Sequence, residues 1–160
     1  FGCLMAIDRL TRKTPHAALN ILDLGCGSGI LAIALAKCWP SAKITATDID
    51  PQSCVVAREN ADHNKVGSTV NTYVADGADD SRVKGDGPFD MIIANILAGP
   101  LISIAKDVAH IIKPGGDLIL SGILVPQAAS VIAAYRTAGF TLQDHQRITG
   151  WSTITLVKRI

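Results

Sequence analysis

The stretch ILDLGCGSGILAIALAK, Ile21 to Lys37, decides the fold of this chain. An apolar run, Ile21–Leu24, meets three alternating glycines, Gly25, Gly27 and Gly29, which lead directly into a run of helical composition. Lacking Cβ atoms, the glycines let the backbone turn tightly and admit a ligand closely. The helix start behind them offers free N–H groups and the positive end of a dipole. Strand, glycine turn and helix form the opening unit of an α/β sheet. Gly27–Ala32 also satisfies G-x-G-x-x-A, the relaxed dinucleotide fingerprint. The glycines alone therefore leave the ligand open, and a tight turn without any ligand carries the same residues.

Outward from this stretch, short apolar runs alternate with helical periods. Asn20–Leu24, Lys43–Asp48, Val70–Ala75, Phe89–Asn95 and Asp117–Gly122 read as strands, and continuous runs such as MIIA suit parallel strands buried on both faces. Asp50 followed by Pro51 is an N-cap with proline at the first helical position, opening a helix to about His63. Leu97, Leu101, Ile104, Val108 and Ile111 form one apolar helical stripe, which KPGG (Lys113–Gly116) is expected to end. Pro126 opens a further helix, with Gly139 at its C-terminal cap. Phe140–Ile148 and Trp151–Arg159 are strand-like and separated only by Thr149 and Gly150, so they must run antiparallel. The expected fold is an α/β, Rossmann-like open sheet of seven strands. It is mostly parallel, with helices on both faces and an antiparallel C-terminal hairpin.

The bulk numbers narrow the function classes. At 160 residues the chain is the size of one domain, and 48% hydrophobic content reads as globular. Fifteen Lys and Arg against fourteen Asp and Glu give no case for direct nucleic-acid or membrane binding. No apolar run approaches bilayer length and no charged-then-apolar leader opens the chain, so the expected setting is the cytoplasm. The four cysteines form no C-x-x-C pair or C/H cluster, so no metal is expected and free buried thiols are the reading. His16, His63, His110 and His145 are scattered without partners at motif spacing and are read as non-catalytic.

The candidate site residues sit at strand ends. Asp23, two residues before the first glycine, suits a cationic group such as an amino-acid ammonium and would oppose a pyrophosphate. It can equally order the glycine turn through backbone N–H groups, and the two roles can coexist. Asp48, ending the second strand, can accept both ribose hydroxyls of an adenosine, with Ile49 against the adenine face. Asp76, after the third strand, is placed for the adenine amino edge. Both acids also read as exposed turn residues. Asn95, ending the fourth strand, either presents its amide oxygen to an incoming amine or caps the helix that follows.

With these residues in view, the chain resembles a class I S-adenosylmethionine-dependent methyltransferase. DLGCGSG is similar to that superfamily's first motif, TATDID to its ribose-binding acid, and IKPGG to the turn before its fifth strand. FDMIIANILAGPL, LILSGILVPQA, AAYRTAGF and GWSTITLVKR resemble the PrmA family, which methylates amino groups of protein eleven of the large ribosomal subunit. The resemblance implies S-adenosylmethionine as cofactor, held by Asp23, Gly25, Gly27, Gly29, Asp48, Ile49, Asp76 and Asn95. It implies Asn95 as the catalytic residue and a protein substrate, a ribosomal protein, methylated on lysine or N-terminal amines. Residues 1–160 would form a single cofactor-binding domain. The family's N-terminal substrate-recruiting domain and its glycine/threonine/histidine-rich loop are absent, so the chain reads as a truncated catalytic domain or as one with another acceptor. A cofactor-binding module without catalysis and an NAD-dependent oxidoreductase are the rival readings.

Overall fold

Strand β1 (Asn20–Leu24) runs through the middle of a seven-stranded sheet, buried on both faces beyond its first residue. The computed structural model describes residues 1–14 and 17–160; His16, one of the histidines read as non-catalytic, lies outside the described residues. In chain order the elements around β1 begin with α1 (Gly2–Lys13), α2 (Ile30–Cys38), β2 (Lys43–Asp48), α3 (Pro51–His63), β3 (Val70–Val74) and α4 (Ser81–Asp86). They continue with β4 (Phe89–Asn95), α5 (Ala98–Ser103), α6 (Ala105–Ile111), β5 (Ile112–Leu124), α7 (Ala128–Thr137), β6 (Phe140–Ile148) and β7 (Trp151–Lys158). The spatial order is β3-β2-β1-β4-β5-β7-β6. The first five strands pair in parallel, and β7 runs antiparallel to both β5 and β6. The expected mostly parallel sheet with a reversed terminal hairpin is what forms.

The two-residue period of the strands divides the core. Ile21, Met91, Ile93 and Ile119 pack with α1, α2 and α3 on one face. Leu22, Ile92, Leu118 and Leu120 pack with α4 to α7 on the other. Each such fully buried aliphatic contributes about 1.5–3 kcal/mol relative to exposure. Continuing the same alternation one step brings Asp23, Asn95 and Ser121 to the α1–α3 face at the carboxyl ends of β1, β4 and β5. The order in which strands are added reverses between β1 and β4, and in open α/β sheets ligands bind at such a switch point.

Three local expectations are refined. The helix read as one stripe from Leu97 breaks at Ile104 (φ −89, ψ 2), which leaves the helical stripe and lies across from Gly77. Leu101, Val108 and Ile111 stay buried on one face through both halves. The stripe helix ends at Ile111, just before KPGG as expected, and the KPGG segment itself belongs to the following strand. Phe89 pairs with Ile112 and Met91 with Asp117, so Lys113–Gly116 bulges inside β5, where Lys113 Nζ lies 2.7 Å from Asp90 Oδ1. A single turn of 3₁₀ helix at Val125–Gln127, carrying Pro126, precedes α7. The Asp50 cap is as expected: its carboxylate accepts the Gln52 and Ser53 N–H groups, each at 3.1 Å. Among the described residues, no helix is long and apolar enough to cross a membrane.

Candidate active site

The glycine turn is held from below by a buried carboxylate. Helix α2 (Ile30–Cys38) has Gly29 at its N-cap position, where no side chain can cap the first N–H groups. Asp23 supplies that cap from the strand beneath: its Oδ2 accepts the Ala32 N–H at 2.9 Å. The loop-ordering role is therefore present. The other oxygen, Oδ1, has no hydrogen-bond partner among the described residues, and the residue is 0% exposed. Burial pushes this carboxyl up to about 7; the Ala32 N–H pulls it down, and the Asp48 charge adds to the rise. A half-satisfied carboxylate at a helix N-terminus is a place where a cationic group gains most.

The turn itself is pinned to β2. Thr47 O accepts the N–H groups of Gly25 at 2.8 Å and Cys26 at 2.9 Å. Asp48 Oδ2 accepts the Gly27 N–H at 2.8 Å, and Oδ1 accepts the Asp50 N–H at 3.0 Å. All three glycines have left-handed φ angles, between 52° and 79°. They differ in surroundings: a Cβ on Gly29 would fall 2.9 Å from the Ala57 Cβ, whereas one on Gly27 would meet nothing within 4 Å. Gly29 is thus required by helix packing, and the space beside Gly27 is open.

Two clefts meet along this rim. One, of about 460 Å³, is lined by Gly25, Thr47, Asp48, Ile49, Asp76 and Gly77. Ile49 is 67% exposed there, a large aliphatic offered to solvent beside two carboxylates. The other, of about 630 Å³, has Asn95 in its lining, together with Ser121 and Thr153. Ile96 and Leu97, the residues after Asn95, line both clefts and form the partition between them. Asn95 does not cap α5: the N-cap is Leu97, without a side-chain bond, and Asn95 is exposed with its amide free among the described residues. Of the sequence candidates, Gly25, Asp48, Ile49 and Asp76 share one cleft, Asn95 lies in its neighbour, and Asp23 lies buried behind the turn. Among the described residues, no cluster of His, Cys, Asp and Glu has the make-up of a metal site.

The profile of the family described as ribosomal protein L11 methyltransferase (PrmA) matches residues 1–159. The chain belongs to this family. A ribosomal protein L11 methyltransferase of Bradyrhizobium diazoefficiens is 45% identical over 157 residues, covering 98% of this chain and 52% of that protein. Its counterpart in Brucella suis is 46% identical over 155 residues, covering 97% and 53%. A solved ribosomal protein L11 methylase from Lactobacillus delbrueckii subsp. bulgaricus superposes with a TM-score of 0.82 at 28% identity, over 99% of this chain and 78% of that one. The chain spans about half the length of the curated relatives it matches.

Within this L11 methyltransferase fold, some lining residues carry no sequence signal of their own. Ser121, Thr153 and Trp151 join Asn95 in one cleft because β5, β7 and β4 lie side by side, although they are far apart in the chain. Cys3, buried on α1, reaches the same lining, and burial pushes its thiol up. His145 bonds Ser152 Oγ at 2.9 Å and lines neither cleft.

Proposed function

We propose that this chain is a cofactor-binding catalytic domain that uses S-adenosylmethionine to methylate amino groups of a protein, a large-subunit ribosomal protein. The observation that carries this reading is the pair of clefts joined at Ile96 and Leu97. One carries the carboxylate acceptors that an adenosine calls for, and the other has an amide beside it. The residues fit the cofactor. Asp48 and Asp76 would hold ribose and adenine, and Ile49 would cover the adenine face. The unpartnered Asp23 Oδ1 is the natural counterpart of the methionine ammonium, directly or through a water. Gly27, with open space beside it, would let the methionine part approach the turn.

When bound, the cofactor would supply an electrophilic methyl group on a positively charged sulfur, a neutral thioether being its leaving group. The protein's own task is alignment. Asn95 presents an uncharged amide oxygen that orients the amine N–H and meets the positive charge growing on nitrogen. The relatives in Bradyrhizobium and Brucella, both ribosomal protein L11 methyltransferases, support the ribosomal acceptor. Calorimetric titration with S-adenosylhomocysteine, and separately with NAD, tests the reading: saturable binding of the first and none of the second is expected. Binding of NAD alone would overturn it.

A further inference from the structure

The residue that follows Asn95 is caught between two glycines. Strand β4 lies between β1 and β5 in the sheet. Gly25 follows the end of β1, and on β5 Gly122 follows Ser121, the register partner of Asn95. Ile96, the first residue beyond β4, therefore has a glycine on either side. Both glycines are left-handed, with φ +74 at Gly25 and +79 at Gly122. A Cβ on Gly25 would fall 2.5 Å from Ile96 Cγ2. A Cβ on Gly122 would fall 2.5 Å from the Ile96 carbonyl oxygen and 3.1 Å from its backbone nitrogen. One glycine receives the Ile96 side chain and the other its backbone.

Gly25 belongs to the glycine turn, but Gly122 stands inside a strand, where glycine weakens pairing. Between β5 and β7, Leu120 pairs with Ile154 and Ile123 with Ser152, so Ser121 and Gly122 together oppose Thr153. A bulge of this kind bends the strand locally, and here it brings Gly122 onto Ile96. Ile96 is half-buried against the core, and with Leu97 it separates the two clefts. Its β-branched side chain has little freedom to swing Cγ2 away from Gly25, and the atoms facing Gly122 are backbone. Neither contact relaxes by a side-chain rotation, so the partition has one seat.

We infer that Gly122 is a positioning residue for methyl transfer: by admitting the Ile96 backbone, it fixes the partition, and with it Asn95, at a set distance from the glycine turn. This rests on the methyltransferase reading above. In-line transfer requires donor and acceptor to be aligned, and a displacement of about 1 Å costs on the order of a hundredfold in rate. A methyl group at position 122 must push the Ile96 backbone away from β5. Gly122 lines the cleft that holds Asn95 and not the one that holds Asp48, so the change removes no group assigned to ribose or adenine.

The test compares Gly122→Ala with Gly115→Ala. Gly115 is also in β5 with φ +78, but a Cβ there meets nothing within 4 Å. Gly115→Ala carries the left-handed strain without the contact and should keep turnover within about twofold of the parent. In the full-length protein, Gly122→Ala should lower kcat about ten- to a hundredfold while S-adenosylhomocysteine affinity stays within about threefold. In the S-adenosylhomocysteine complex of this chain, nuclear magnetic resonance should show the Asn95 side-chain amide shifted by Gly122→Ala. The Trp39 indole, buried and donating to Thr14 O at 2.7 Å, should stay still. Adding Ile96→Ala frees the Gly25 side and lets the backbone retreat, so stability should rise towards the parent while turnover stays low. If Gly122→Ala does not fold, the Ile96 variants carry the test. Ile96→Val keeps Cγ2 against Gly25 and should hold kcat within about twofold, whereas Ile96→Ala should lose about tenfold. A kcat for Gly122→Ala no lower than for Gly115→Ala, an unmoved Asn95 amide, turnover that recovers together with stability, or equal turnover of the two Ile96 variants would each overturn the inference. Failure of the parent chain to bind S-adenosylhomocysteine would instead overturn the methyltransferase reading, and this inference with it.

Discussion

The Asp48 carboxylate, at the end of β2, accepts the Gly27 N–H at 2.8 Å and so ties the second strand to the glycine turn of the first. One carboxylate thereby shapes the turn and faces the cleft in front of it. Asp48→Ala is expected to weaken S-adenosylhomocysteine by tenfold or more, since hydrogen bonds to a charged group contribute about 1.5–3 kcal/mol each. Calorimetry measures this directly; near-parental affinity would remove Asp48 from the ribose site.

Asn95 is exposed, caps no helix, and carries a side-chain amide free of bonds among the described residues. Asn95→Ala should therefore change stability by only about 0.5 kcal/mol, as at ordinary surface sites. Methyl transfer in the full-length protein should fall far more than cofactor affinity. Turnover that survives the change would leave Asn95 without a part in the reaction.

Asp23 predicts a pH dependence of folding. Its carboxyl lies at about 7 when folded and near the ordinary aspartate value when unfolded. Between about pH 4 and 7 the folded state keeps a proton that the unfolded state has lost, so this residue lowers stability as pH rises through that window. Urea unfolding of the parent and of Asp23→Asn at pH 5 and pH 8 should differ in slope by on the order of 3 kcal/mol, with the variant flatter. Parallel pH profiles would place the carboxyl back in its usual range.

Gly29 and Gly27 should respond differently to the same substitution. Gly29→Ala combines a left-handed φ of 79° with a Cβ placed 2.9 Å from the Ala57 Cβ and 3.1 Å from its Cα, neither of which can swing aside. A loss of more than about 2 kcal/mol is expected in chemical denaturation. Gly27→Ala, with open space around it, should cost about 1–2 kcal/mol, the left-handed conformation alone. Equal losses at both would show that the α2–α3 contact does not depend on Gly29.

Much of this arrangement is readable along the chain because it is local or periodic. The apolar runs MIIA and ILDL declare strands buried on both faces, Asp50-Pro51 declares a helix start, and the two-residue gap at Thr149-Gly150 forces an antiparallel hairpin. Asp48, Ile49 and Asp76 are legible because they stand where strands end, and strand ends face the switch point of such a sheet. Two readings of Asn95 and two of Asp23 stay open along the chain, because a cap and a ligand contact ask for the same residue types.

The sequence by itself determined the order of strands and helices, the two-sided core and the candidate carboxylates, since these follow from period and end signals carried within a few residues. Only the tertiary structure decided that, among the described residues, Asn95 is free and Asp23 caps α2 with one oxygen while the other has no partner, and that KPGG bulges within a strand. It alone brought Ser121, Thr153 and Trp151 beside Asn95. The reason is that hydrogen-bond satisfaction, bulge register and cleft lining depend on which strands become neighbours, and β5 meets β7 across a sheet order that no local pattern encodes.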